Sequence, residues 1–124
     1  MYKSKTIIFE ITEEYIERYA LNKNFKGKTI VLYKDRIHHI ERHRLDFSND
    51  KQLDFILRNL SKIIKNPDFI TEDNKNNSLQ IVKKIEDNIL IAVRISNGPI
   101  LKIKTIYPIN ETKYSRLMSN STNI

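Results

Sequence analysis

Between residues 78 and 109 the chain reads SLQIVKKIE, NILIAVRIS and PILKIKTIYPI, three runs rich in β-branched residues, joined at Asp87-Asn88 and at Asn97-Gly98-Pro99. A parallel pair needs a crossover of about a dozen residues or more, and neither joint can supply one. The three runs therefore form a meander of adjacent antiparallel strands. Such a sheet must bury at least one face, and the cover has to come from the rest of the chain.

The segments before the meander provide that cover. KTIIFEI (5–11) reads as a strand, and ITEEYIERYALNK (11–23) changes to helical spacing, with Thr12 as N-cap and acids in its first turn. FKG (25–27) is a turn and KTIVLY (28–33) a second strand. A helix follows Ser48 or Asn49 as N-cap, with apolar residues at 53, 56, 57, 60, 63 and 64, and stops before Pro67. EDNKNNS (72–78) reads as a polar loop, and NETKYSRLMSNSTNI starts as a short helix near Thr112 before fraying. The expectation is an α+β fold in which N-terminal helices pack on one face of a C-terminal antiparallel β-sheet, leaving the second face open for a site. The chain reads as one domain over 1–118 and a disordered tail over 119–124.

Composition narrows the chemistry. Twenty-two Lys and Arg against fifteen Asp and Glu give a formal charge of +7, which favours a polyanionic partner, although lysine excess is also common in chains rich in Lys, Asn and Ile. The absence of cysteine excludes disulfides, cysteine zinc sites and thiol nucleophiles. No run resembles a signal peptide or a membrane span, so the expected location is the cytoplasm, with no membrane partner.

All three histidines fall in HHIERH, residues 38–43. Read as a helix over 34–43, this segment puts Tyr33, Ile37, Ile40 and the stem of Arg44 on one apolar stripe. His38 and Arg42 then lie about 40° apart on one flank, and His39 and His43 about 40° apart on the other. Zinc at His39 and His43 would need the glutamate of an H-E-x-x-H motif and a third ligand, neither of which is in place. Exposed histidines on a solvated helix are the plain alternative. Acid/base chemistry on RNA is the third reading: one group takes the proton of the 2'-hydroxyl, another protonates the leaving 5'-oxygen, and cations steady the phosphoryl oxygens. That chemistry uses no metal and no cofactor, and selects RNA over DNA. His38 and His43 are about 140° apart on a straight helix, so joint action requires the helix to end or bend near Arg42. Otherwise one histidine is structural, and Tyr107 or Arg94 supplies the second function.

Strict alternation places Leu90, Ala92 and Arg94 on one sheet face and Ile89, Ile91, Val93 and Ile95 on the helix-covered face. On the last strand it groups Leu101, Ile103, Thr105 and Tyr107 against Ile100, Lys102, Lys104 and Ile106. Arg94 then points to the open face as a candidate phosphate contact, and Lys75 adds a basic position in the polar loop. By spacing alone, Thr105 is equally an ordinary strand residue and Tyr107 a rim aromatic.

HHIERH, then IIKNPDFI, then a hairpin ending in IKTIYPI, taken together over about residues 28–108, resemble the phage-associated nuclease domains of the barnase/EndoU/colicin/RelE-like group. The pieces carrying the likeness are a helical motif close to H-x-x-x-R-H, NPD after the next helix, and a late strand with Thr-x-Tyr. The resemblance implies a metal-independent endoribonuclease in which His38, Arg42 and His43 act with Thr105 and Tyr107. His39 stands where such domains carry an apolar residue. The implied role is that of a toxin or phage-conflict effector, with RNA, tRNA included, as substrate and an inhibitor or antitoxin protein as partner. A non-catalytic basic module binding RNA or protein is the alternative.

Overall fold

A computed structural model describes residues 4–121. The elements are β1 (Lys5–Glu10), α1 (Glu13–Tyr19), β2 (Thr29–Tyr33), α2 (Lys34–Glu41), α3 (Lys51–Arg58), α4 (Leu60–Lys65), β3 (Phe69–Asp73), β4 (Ser78–Lys84), β5 (Asn88–Arg94), β6 (Ile100–Ile109) and α5 (Glu111–Asn120). Thr12 caps α1, its Oγ1 accepting from Tyr15 N at 3.1 Å. Gly27 has φ +81°, a conformation costly for a residue with a Cβ, and its N–H donates to Ile11 O at 2.8 Å, closing the turn into β2. Among the described residues no helix is long and apolar enough to cross a membrane.

The sheet has six strands in the order β1-β2-β6-β5-β4-β3. The meander is present, and β3 extends it: residues 72 and 73, read as loop from the sequence, pair with Leu79 and Ser78. Charge at the end of an edge strand is normal, because it discourages further strand addition, and that is why FITED does not look like a strand. β1 and β2 join the same sheet, β2 pairing parallel with β6 over Thr29↔Ile100, Ile30↔Leu101 and Val31↔Lys102. The sheet is thus mixed, though mostly antiparallel, and β6 lies inside it.

The expected helix after Asn49 is two helices. Asn59 breaks it with φ −117° and ψ 21°, its side-chain amide donating to Phe55 O at 2.8 Å in competition with the helical ladder. The N-cap position is Asp50, while Asn49 Oδ1 accepts from Lys51 N at 2.9 Å. At the other end α5 is longer than its Ser/Asn composition implies. Asn110 caps it by accepting from Lys113 N at 2.8 Å, Ser119 and Asn120 are helical and Ser121 is buried, so fraying does not start at 119. Residues 122–124 of the expected tail lie outside the described ones.

Ile89, Ile91 and Val93 face the main core, together with Ile40, Leu53, Ile56, Leu60 and Ile64 from the helices. On β6, strict alternation fails. The register shifts between Ala92↔Thr105 and Val93↔Ile103, leaving Lys104 as a bulge. Leu101, Ile103 and Ile106 therefore all enter the main core, and Thr105 and Tyr107 turn to the second face beside Ala92 and Leu90. This corrects the grouping of Thr105 and Tyr107 with Leu101 and Ile103. The second face is not wholly open either: Leu117 of α5 packs on Phe69, Val82, Leu90 and Ala92.

Candidate active site

β2 stays beside β6 for three residues, and α2 then takes its place along the rest of the strand. Arg36, in the first turn of α2, donates from Nη2 to Lys104 O at 2.7 Å and from Nε at 3.3 Å, satisfying a carbonyl at the bulge. Seven residues on, the His43 ring lies 5.6 Å from that of Tyr107, tilted by 39°. Seven helical residues rise about 10 Å, and so do three strand residues, so α2 runs alongside β6 in the same direction.

The helix ends near Arg42, yet the end does not bring His38 and His43 together. Glu41 is its last residue, Arg42 is the C-cap, and His43, at φ −91° and ψ 2°, leads into a 3-10 turn over Arg44–Asp46. The turn brings Asp46 Oδ2 to 2.9 Å from His43 Nδ1. A carboxylate only accepts, so Nδ1 carries the hydrogen and Nε2 is the nitrogen left for proton exchange. The neighbouring ring is His39, at 6.3 Å between centroids and 79° between planes. Burial, with the positive charges of Arg36 and Arg42 and the ring of His43 adding to it, lowers the His39 pKa below 6.5. His39 is accordingly neutral at pH 7 and able to accept a proton. Lys113 of α5 holds its Nζ 5.4 Å from the centroid of Tyr107. Thr105 is half-buried on the same strand, and its Oγ1 has no hydrogen-bond partner among the described residues.

Of the residues singled out in the sequence, His43 and Tyr107 are in contact, and Thr105 shares their strand face. His38 is exposed and lies near Glu41, whose carboxyl it helps to lower, and no ring contact joins it to His43 or Tyr107. Arg42 is exposed but close enough to act on His39. The histidine that joins the cluster is His39, set aside in the sequence as an intruder at an apolar position. Its spacing of four from His43 was the signal, visible there only as a zinc spacing. Asp46, three residues past His43, and Lys113, on a distant element, were not singled out. Among the described residues no group of three or more His, Asp or Glu is placed to hold a metal ion.

A cleft of about 600 Å³ opens beside the first turn of α2, on the second face of the sheet. Lys5, Arg36, Arg94, Lys102 and Lys104 line it with Tyr33, and Asp35 is the acid in its wall. Arg94 and Lys102 are cross-strand partners, and Lys102 Nζ sits 5.1 Å from the Tyr33 ring centroid. Lys75 is exposed in the β3–β4 turn, at the sheet end where Ser78 pairs with Arg94, and it does not line the cleft.

Two polar networks hold the turn carrying His43. Arg44 grips Glu41 with two hydrogen bonds of 2.7 Å, reaches Asp54 Oδ1 at 2.8 Å and donates to Asp50 O at 2.8 Å, tying the end of α2 to α3. Hydrogen bonds from Arg44 hold both the Glu41 and the Asp54 carboxyls below the ordinary carboxylate range. Asp87 accepts from Ser48 N at 2.8 Å and from buried Gln52 Nε2 at 3.0 Å, fastening the segment to the β4–β5 turn. Burial pushes the Asp87 carboxyl up, but these hydrogen bonds outweigh it and leave it lowered.

A family model described as phage-Barnase-EndoU-ColicinE5/D-RelE like nuclease3 matches residues 6–116. No curated protein and no solved structure matches the chain.

Proposed function

The chain belongs to the phage-Barnase-EndoU-ColicinE5/D-RelE like nuclease3 family, and from that membership we propose that it is a metal-independent endoribonuclease. The observation that carries the reading is the pair of imidazoles, 6.3 Å apart between centroids, one with its pKa lowered by burial and neighbouring cations and the other bonded through Nδ1 to a carboxylate. A phosphodiester seated across the outer edges of the two rings meets a base at one ring and an acid at the other. His39 takes the proton of the 2'-hydroxyl, and the 2'-oxygen forms its bond to phosphorus. The bond from phosphorus to the 5'-oxygen breaks as His43 Nε2 delivers a proton to it, leaving a 2',3'-cyclic phosphate and a 5'-hydroxyl. Asp46, bonded to Nδ1, orients the His43 ring for that transfer. Arg42 and Lys113 lie at the rim of the ring cluster and provide positive charge for the phosphoryl oxygens. Tyr107, with Thr105 behind it, forms the wall against which the substrate is oriented. His38 has no part in the transfer.

RNA is favoured over DNA because this scheme consumes a 2'-hydroxyl. The +7 charge suits either polymer. A role as toxin or phage-conflict effector, with tRNA among the substrates and an inhibitor protein as partner, is part of the proposal.

The test is incubation of purified protein with total RNA and with tRNA, with and without EDTA. Cleavage should persist in EDTA and leave 2',3'-cyclic ends. His43→Ala should lower it by about 10²–10⁴-fold with the fold retained, as for loss of one acid/base group. An oligonucleotide with one 2'-deoxy position should survive at that position. Full activity in His43→Ala, or cleavage at the deoxy position, would overturn the mechanism. Binding with no product would make the chain a basic RNA-binding module instead.

A further inference from the structure

We propose that the cleft at Tyr33 is the seat of one unstacked nucleotide of single-stranded RNA, whose base stacks on the Tyr33 ring while Lys102 and Arg94 contact its flanking phosphates. The proposal rests on the reading of the chain as a ribonuclease and names the form of RNA it takes. Three observations carry it. The cleft's volume, about 600 Å³, falls within the range of pockets that enclose small ligands, and five of its wall residues are cationic. Tyr33 is half-buried at the end of β2, and a face of its ring already attracts a cation, Lys102 Nζ at 5.1 Å. Finally, Arg36 belongs to both places: it lines the cleft and acts on His39 one turn along α2. A strand leaving His39 therefore passes Arg36 and, six residues or about 9 Å back along α2, meets an aromatic ring.

In a duplex each base is covered by its neighbours and cannot offer a face to an aromatic, whereas a single strand can splay one base out. Stacking on aromatics with cations on the backbone is the general means by which proteins hold single strands.

Binding is measured in a His43→Ala background, so that the RNA stays intact, using a short labelled single strand and the same sequence annealed to its complement. Tyr33→Ala should weaken single-strand binding roughly five- to a hundredfold and leave duplex binding unchanged. Tyr33→Phe, which keeps the ring, should restore it, and thermal melts of both variants establish that the sheet is intact. In the cleaving protein Tyr33→Ala should raise KM far more than it lowers kcat. Equal single-strand binding by Tyr33→Ala and the parent overturns the inference, as does a Tyr33→Phe as weak as Tyr33→Ala. Cleavage by the native chain with KM unmoved by Tyr33→Ala sinks the subsite and leaves the nuclease standing. Tyr33-dependent binding with no cleavage of any RNA does the reverse.

Discussion

The second face of the sheet has two halves with opposite chemistry. Over β3, β4, β5 and the end of β6, its residues are Phe69, Val82, Leu90, Ala92 and Ile109, buried under Leu117 of α5. Over β1, β2 and the start of β6, the same face shows Lys5, Tyr33 and Lys102, with Ile7 left 68% exposed, and it carries a cleft instead of a helix. On β6 the Lys104 bulge separates the two halves and keeps Lys102 and Tyr107 on this one face. One half is apolar enough to bind its own helix, and the other is too charged to be buried without paired partners, so it stays accessible to a polyanion. The imidazole pair stands between them, beside the β6 edge.

The comparison breaks most easily on the covered half. Leu90→Ala removes a fully buried side chain and should cost about 2–5 kcal/mol in urea unfolding, with turnover per folded molecule unchanged. Lys102→Ala, the matching change on the cleft side, should leave stability within about 0.5 kcal/mol and reduce the salt slope of RNA binding by about one. A Lys102→Ala that destabilises as much as Leu90→Ala would erase the distinction.

The pH dependence tests the border between the halves. His39 binds its proton more weakly when folded than its ordinary pKa of about 6.5 implies. The acid limb of kcat/KM should therefore lie below pH 6.5, and Arg42→Gln, which removes a neighbouring cation, should move it up. The same shift means that the unfolded chain binds the proton first as pH falls, so His39 withdraws stability between pH 6.5 and its lower folded value. An acid limb above pH 6.5 would remove His39 as the base.

The smallest effect concerns Arg44. Glu41 and Asp54 have depressed folded pKa values, so the stability they contribute is present above the ordinary carboxylate range and lost as pH falls through their folded values. Arg44→Gln should flatten that acid part of the stability curve and change neutral stability little, because the groups are largely solvated. It should also slow cleavage if the grip on Glu41 positions His43, which a single-turnover assay would show.

Much of this architecture is written in local spacing. The turn residues at 87–88 and 97–99 and the alternation in NILIAVRIS place β5 and its two faces correctly, and HHIERH shows its helix. What local spacing does not contain is decided by partners distant in the chain. The Lys104 bulge depends on pairing with β5 and on Arg36 taking up the freed carbonyl, so strict alternation puts Thr105 and Tyr107 on the wrong face. The choice of His39 over His38 depends on which flank of α2 lies along β6, and that is fixed by the parallel β2–β6 pairing some seventy residues apart in sequence. β3 escapes notice because an edge strand tolerates the acids at its end.

The early parting of β2 from β6 has a wider meaning for how this molecule can vary. Beyond Lys102 the rings are stationed by the rotation of one helix, while the ladder beneath them is secured from the other side by β5. One residue added within α2 ahead of His39 would swing both imidazoles by about 100° and leave every rung of that ladder intact. Reactivity and foldedness thus rest on separable geometry, so an inert descendant could keep the whole sheet, and an altered chemistry could be tried on it without putting the scaffold at risk.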